Sequence, residues 1–428
     1  MKHLIFADLC VILSISADYA KNHKKGLTSM KKTRLLIASA MIVSILLTGC
    51  SKNPASSQGE QSEISSEVGE NNSAEKQQPE NAPQLTFADN SVEFAANLKL
   101  GWNLGNTLDA TGTYTLDSEA SWGQPYVTRQ QIDFVKECGF TSIRIPVSWS
   151  NHVDANNVID EAWFNRVTEI VDYAVEAGFY IIINSHHDCD NYFPSEEHYA
   201  ESEKYIKDIW TQIAEHFKNY DERLVFEGMN EPRLMGTSKE WWFADNDEEG
   251  IKSIEVICRL NQAFVDTVRA AGGNNKERYL MVPSNAASPT NALNDAFTAP
   301  TDPSNRVIIS VHAYTPYNFA MNGKGGTRWS EKYASELGFM DQLDEKFIKN
   351  GYGVVIGEFG ATNKNNLEDR VEWAKCYTEK AHSLGIPCFL WDNGGIKSGE
   401  ENFGMINRRD LWVYYPELLD QLIAGFEG

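Results

Sequence analysis

Leu224-Val225-Phe226-Glu227-Gly228-Met229-Asn230-Glu231-Pro232-Arg233 is the stretch on which the fold turns. An apolar run containing Val and Phe has the make-up of a buried strand, read here as Leu224–Phe226. It breaks into Asn-Glu-Pro-Arg, where Pro232 ends regular structure and biases Glu231 towards an extended backbone. A carboxylate is therefore expected at the carboxyl end of a buried strand, beside a side-chain amide. Taken alone, this is equally a solvated strand end or half of a structural ion pair. A second stretch has the same form. Gly353-Val354-Val355-Ile356-Gly357-Glu358-Phe359-Gly360 is a β-branched run, a lone Glu and a Gly turn. Two carboxylates on two strand ends suit the cleavage of a glycosidic bond. One gives a proton to the leaving oxygen, and the other attacks or assists at the anomeric carbon.

Moving outward, four junctions repeat one pattern: Cys138-Gly139-Phe140, Ala177-Gly178-Phe179, Asn350-Gly351-Tyr352 and Leu384-Gly385-Ile386. Each Gly sits where a helix should end in the left-handed conformation, and a short apolar strand follows it. Thr128 with Gln131 forms a capping box ahead of Ile132, Phe134 and Val135. Trp163–Ala177 and Ile254–Ala271 carry apolar residues at helical spacing. Further strands are expected at Leu98–Trp102, Tyr279–Val282 and Val307–Val311. Eight strands joined by helices or loops predict an α/β fold, a single-domain (β/α)8 TIM barrel over residues 87–428. A doubly wound open sheet is the alternative, although no GxGxxG or P-loop supports it.

In such a barrel the chemistry lies at the carboxyl ends of the strands. Those ends offer Asn103 and Asn106, then Arg144 and Trp149, then His186, His187 and Asp188. Asn230 and Glu231 follow, then His312 and Tyr314, Glu358, and finally Trp391, Asp392 and Asn393. The fifth end, near Pro283, offers nothing assignable. A metal hydrolase needs three protein ligands and an open position. HEXXH spacing is absent, and adjacent His186 and His187 on an extended chain should point to opposite faces. No metal and no cofactor is expected. Trp122, Trp241, Trp242 and Tyr192 are read either as sugar platforms or as packing.

Seven blocks in barrel order, from about Leu98 to Asn393, resemble glycoside hydrolase family 5, a large retaining cellulase family. They are residues 101–107 (Gly-Trp-Asn-Leu-Gly-Asn-Thr), 144–146 (Arg-Ile-Pro), 186–188 (His-His-Asp), 230–233 (Asn-Glu-Pro-Arg), 312–317 (His-Ala-Tyr-Thr-Pro-Tyr), 357–360 (Gly-Glu-Phe-Gly) and 391–394 (Trp-Asp-Asn-Gly). The wording is similar to the bacterial endoglucanase and xyloglucanase branch. The resemblance implies Glu231 as general acid/base and Glu358 as nucleophile. It implies that Arg144 and Tyr314 hold Glu358, that His312 neighbours Glu231, and that Asn230 holds the sugar 2-hydroxyl. His186, with His187 as companion, would bind a hydroxyl, and Trp391 would carry the pyranose ring. Asn103, Trp149 and Asn393 join the expected substrate-binding set. The implied activity is endo-β-1,4-glucan hydrolysis of cellulose, mixed-linkage glucan or xyloglucan. The alternatives are the same chemistry on mannan or xylan, and a non-catalytic surface glycan-binding lipoprotein.

The 428 residues carry 38 Lys+Arg against 60 Asp+Glu, a formal charge of −22. A nucleic-acid partner is therefore excluded, because phosphate binding needs a basic face. A neutral β-glucan is compatible, and a monomer is expected. The seven Cys form no CxxC pair, and a Cys189 disulfide is left open. Residues 1–50 read as a signal region. Met30-Lys31-Lys32-Thr33-Arg34 is its basic start, Leu35–Leu47 its apolar core, and Leu46-Leu47-Thr48-Gly49-Cys50 resembles a bacterial lipobox that would be lipidated at Cys50. Met30 is a candidate initiator; a plain secretory signal or short anchor is the alternative. Residues 51–86, rich in Ser, Glu, Gln and Asn, are expected to be a disordered polar linker. The expected location is extracellular, as a cell-surface lipoprotein of a bacterium held to the membrane only by its lipid.

Overall fold

The computed structural model describes residues 76–85 and 87–427. Eight parallel strands close into a barrel in chain order: β1 (Leu100–Leu104), β2 (Ser142–Ile145), β3 (Tyr180–Asn184), β4 (Leu224–Glu227), β5 (Leu280–Pro283), β6 (Val307–His312), β7 (Gly353–Phe359) and β8 (Cys388–Asp392). β8 returns to β1 with Asn103 opposite Trp391, which excludes the open sheet. A helix α1 (Ser91–Leu98) precedes β1. Each strand is then followed by a helix: α2 (Arg129–Glu137), α3 (Glu161–Glu176), α4 (Tyr199–His216), α5 (Glu248–Ala270), α6 (Pro289–Leu293), α7 (Phe339–Lys346), α8 (Leu367–Ser383) and α9 (Pro416–Ala424). The capping box at Thr128 and Gln131 is present. The four junction glycines, Gly139, Gly178, Gly351 and Gly385, all take positive φ, from 68° to 97°.

Strand alternation sorts the side chains into layers. Ile143, Ile181, Ile183, Leu224 and Phe226 face the helices. Ile182, Val225, Met281, Ile308, Val355 and Phe389 fill the inside of the barrel. A Cβ on Gly101 would lie 2.2 Å from the Phe389 ring, so the missing side chain on β1 is what admits that phenyl group. Helix α1 closes the lower end. Phe94, Ala95 and Leu98 join the interior cluster, and the Phe94 ring stacks on Tyr279 at 3.7 Å. The expected first strand is thereby displaced: Leu98 ends α1, Lys99 turns at φ 51°, and β1 starts at Leu100.

Above the apolar layer the barrel interior is polar. Asn103, Arg144, Asn184, Glu227 and Ser310 are all fully buried there. Register places Asn103 opposite Arg144 and Asn184 opposite Glu227. This layer is the floor on which the strand-end residues stand.

One expectation at the edge needs correction, and one open question is answered. The expected linker ends earlier than residue 86, because residues 76–85 lie on the barrel. Gln78 exchanges two hydrogen bonds with Asp221, and the Pro83 carbonyl accepts from Arg223 at 2.8 Å. A polar segment with little apolar surface is held largely by such side-chain and backbone partners, with Ala82 packed against the core cluster. Cys138, Cys189, Cys258, Cys376 and Cys388 are free thiols, so Cys189 forms no disulfide. The signal region, Cys50 and most of the linker lie outside the described residues.

Candidate active site

Arg144 organises the site. Extending from β2 into the polar layer, its guanidinium gives every nitrogen a partner. Nε donates to Glu227 at 2.8 Å, and Nη1 donates to Asn103 at 2.9 Å and Glu358 at 2.8 Å. Nη2 donates to Asn230 at 2.7 Å. Glu227 in turn accepts from Ser310 at 2.5 Å and Asn184 at 3.0 Å. A fully buried arginine is tolerable only when charges and donors are matched in this way. Glu227 is the counter-charge that the sequence reading passed over. Its signal was the period of two from Val225, which turns it inward beside Arg144.

The two strand-end carboxylates meet at His312. Nδ1 of His312 lies 2.9 Å from Glu231 and 3.7 Å from Glu358. Oxygens of Glu231 and Glu358 lie within 4.8 Å of one another. Tyr314 donates its hydroxyl to the second oxygen of Glu358 at 2.8 Å. Burial and the Glu358 charge hold the Tyr314 proton in place far above the ordinary phenol range, so it remains a donor. Burial opposes charge on His312, but the carboxylates of Glu358 and Glu231 outweigh it and raise the ring above its usual value. Burial also raises Glu358, helped by the neighbouring Glu231 charge and restrained by His312, Arg144 and Tyr314; the net shift is upward. Burial opposes ionisation of Glu231 too, yet the His312 hydrogen bond prevails and lowers it. His312 and Glu231 are therefore paired so that a proton can pass between them across 2.9 Å.

His186 is buried beside this centre. The Asn184 amide NH2 points at its Nδ1 from 3.1 Å, which fixes Nδ1 as the acceptor and leaves the proton on Nε2. The His186 ring lies parallel to the Trp391 indole, with centroids 5.7 Å apart and planes 2° apart. The indole is seated closely, since a Cβ on Gly105 would lie 3.0 Å from it. The next residue, Asp392, is pinned by Trp102 Nε1 at 3.0 Å and the Ile406 amide at 3.0 Å. His187 was expected on the opposite face from His186. Instead the chain bends after β3, the two rings meet edge-on at 4.4 Å, and His187 faces Trp122 at 5.4 Å.

Asp109, His186 and His187 form one group of possible metal-ligating atoms, and Glu231, His312 and Glu358 form another. In the first, Nδ1 of His186 already accepts from Asn184, and Asp109 accepts the Asn106 and Thr107 amides at 3.0 and 2.6 Å. In the second, every member is in the hydrogen-bond set just described. Both groups are better matched to protons than to an ion.

Three expected substrate contacts are elsewhere. Asn103 is enclosed: its NH2 donates to the carbonyls of Gly357 at 2.9 Å and Phe389 at 3.1 Å, and its oxygen serves Arg144. Trp149 is fully buried, with Nε1 on the Asn184 carbonyl at 2.8 Å and its ring against Phe164. Asn393 spends its oxygen on the Gly395 and Phe403 amides and its NH2 on the Glu401 carbonyl. All three hold the scaffold. Tyr192 is likewise core, with its hydroxyl on the Ser185 and His186 carbonyls at 3.1 Å. Trp122, Trp241 and Trp242 are exposed.

The family described as "Cellulase (glycosyl hydrolase family 5)" matches residues 106–396. The chain is 40% identical to endoglucanase 1 of Ruminococcus albus, covering 91% of this chain and 96% of that one. It is 43% identical to cellulase/esterase CelE of Acetivibrio thermocellus over 78% of this chain, but spans only 40% of that longer protein. A solved lichenase from Caldicellulosiruptor sp. F32, in complex with cellotetraose, superposes with a TM-score of 0.76 at 45% identity, covering 82% of this chain and 97% of that one. A GH5-4 broad specificity endoglucanase from Ruminococcus champanellensis with bound cellotriose gives 0.75 at 42% identity, covering 79% and 100%. With the closed barrel and the paired carboxylates already in place, these matches show that the chain belongs to glycoside hydrolase family 5, close to the GH5-4 endoglucanases and xyloglucanases.

Proposed function

We propose that the protein is a retaining endo-β-1,4-glucanase in which Glu231 is the general acid/base and Glu358 the nucleophile. The observation that carries this is the spacing of the two carboxylates, within 4.8 Å at their nearer oxygens. Retaining pairs stand ~5–5.5 Å apart, whereas inverting pairs leave room for water at ~6.5–9.5 Å. Glu358, oriented by Arg144 and Tyr314, attacks the anomeric carbon. Glu231 protonates the leaving oxygen, drawing on the proton it shares with His312. Water then enters from the leaving-group side, Glu231 takes its proton, and the glycosyl–Glu358 bond breaks.

The remaining groups position the sugar. Arg144 occupies the Asn230 oxygen, so the Asn230 NH2 is the end left to donate to the 2-hydroxyl. His186 Nε2–H donates to another hydroxyl, and the Trp391 face carries the ring. His187 and Trp122 extend that wall. The acceptable glucans are cellulose, mixed-linkage glucan and xyloglucan, in keeping with the breadth named for the R. champanellensis relative. The test is a polysaccharide panel with NMR of the first-formed anomer from cellotetraose. Fast release of the β anomer on glucans is expected. An α product, or preferential turnover of mannan or xylan, would refute the respective half of the assignment.

The signal region supports a further part of the proposal. Cys50 carries a lipid that holds a monomeric enzyme on the outer face of a bacterial cell, and residues 51–75 serve as the tether. Cells fed a labelled fatty acid should label the native protein and not the Cys50→Ala variant. A native protein that takes up no label would refute the lipid anchor.

A further inference from the structure

Arg233 follows Glu231 by two residues and turns back onto it. Nη1 donates to the Glu231 carbonyl at 2.9 Å and to the Cys189 sulfur at 3.4 Å. The same nitrogen lies 3.8 Å from one Glu231 carboxylate oxygen, Oε2. His312 holds the other oxygen, Oε1. The guanidinium is itself fixed. Nε donates to Glu240 at 3.2 Å, and the Trp241 ring covers its face at 4.1 Å. Glu240 is anchored by the Gly236 amide at 3.0 Å. On the other side, the Pro232 carbonyl accepts from Ala286 at 2.8 Å, which ties the segment to the end of β5.

We propose that Arg233 is a positioning residue for the acid/base carboxylate, an inference that rests on the assignment of Glu231 above. Held by Glu240 and Trp241, it faces the oxygen that His312 leaves free and stabilises the carboxylate that forms as the proton departs. When Glu231 protonates the leaving oxygen, the O–H bond to Glu231 breaks, one forms to the glycosidic oxygen, and negative charge appears on Glu231. A fixed cation 3.8 Å away lowers the energy of that charge without reorganising. It also makes Glu231 a stronger acid, which matters in proportion to how poor the leaving group is. The other ionisable groups facing Glu231 are His312 from β6, Tyr314 just after it, Glu358 from β7, and His187 and Cys189 from the β3 loop. Burial pushes the Cys189 thiol up to about 11, so it stays neutral, and Glu240 balances the outer side of Arg233.

The experiment compares Arg233→Met and Arg233→Lys with the native enzyme on cellotetraose and on 2,4-dinitrophenyl β-cellobioside. The second substrate departs without protonation. For Arg233→Met, kcat/KM should fall about tenfold on cellotetraose and stay within about twofold on the dinitrophenyl substrate. The alkaline limb of the pH profile should rise by about one unit, because removing a cation makes the shared proton harder to lose. Arg233→Lys should recover most of both effects. Equal losses on the two substrates overturn the proposal, and so does an alkaline limb that stays put. Glu231→Gln is run beside them. Full cellotetraose activity in that variant would remove the underlying assignment and leave the Arg233 result to be judged separately.

Discussion

Glu358→Ala should lose turnover by on the order of 10⁴–10⁶-fold, and azide should then restore the dinitrophenyl cellobioside reaction as an α-glycosyl azide. The reasoning is geometric. The shortened side chain opens a space beside Arg144 Nη1 and the Tyr314 hydroxyl, both of which now point at the Glu358 oxygens from 2.8 Å. A small anion placed there meets the anomeric carbon from the nucleophile's face in one displacement, with inversion. Glu231→Ala should behave in the opposite way. On cellotetraose it should fall by about 10²–10⁴-fold. With the activated substrate, Glu358 still forms the glycosyl-enzyme, and azide entering from the leaving-group side gives the β-glycosyl azide. Chromatographic separation of the two anomeric azides reads the roles of both carboxylates. The same anomer from both variants would dismantle the two-step assignment.

That both carboxylates could be found in the sequence follows from where they sit. Each lies at or just beyond a run of apolar residues long enough to be read as a strand, and each has a chain-breaking Pro or Gly within the next two residues. The barrel was legible for a similar reason, since four glycines mark helix ends and an apolar strand follows each. What stayed hidden was whatever depends on the direction of a side chain after the chain has closed. Glu227 reads as a strand end, yet it points into the barrel. Asn103, Trp149 and Asn393 stand beside the right motifs, but their hydrogen-bonding atoms are consumed by backbone groups distant in sequence. Helix α1 went unread and its last residue, Leu98, was assigned to the first strand, because Phe94, Ala95 and Leu98 fill the bottom of a barrel whose shape no local pattern announces. Residues 76–85 look unfoldable by composition, and contacts with Asp221, Asn219 and Arg223, distant in sequence, hold them together with the packing of Ala82 on the core.

Glu227 should prove as costly to remove as the catalytic pair, by a different route. Glu227→Ala leaves Arg144 fully buried with half of its counter-charge gone, and it deprives Ser310 and Asn184 of their acceptor. Breaking a buried pair in this way costs about 3–5 kcal/mol, which for a domain of this size lowers Tm by about 4–7 °C. Glu227→Gln separates charge from packing. The amide fills the same volume, and the Ser310 hydroxyl can accept from its NH2 instead of donating to a carboxylate. The fold should therefore survive, and the charge effect can be read from kinetics.

In the native enzyme kcat/KM should be bell-shaped. Activity is lost as pH falls through the Glu358 value, which lies above the ordinary 4.5. It is lost again as pH rises through the proton shared by His312 and Glu231, with His312 above the ordinary 6.5. These limbs are properties of the coupled set rather than of single residues. Removing the Glu227 charge leaves Arg144 more positive towards Glu358, which favours the ionised nucleophile and moves the acid limb to lower pH by about one unit. The same loss withdraws a negative charge 4.0 Å from His312 Nε2, so the shared proton leaves more readily and the alkaline limb moves down as well. Both limbs should shift in the same direction. A Glu227→Gln profile superimposable on the native one would mean that the buried carboxylate only fills space and sets no charge at the catalytic centre.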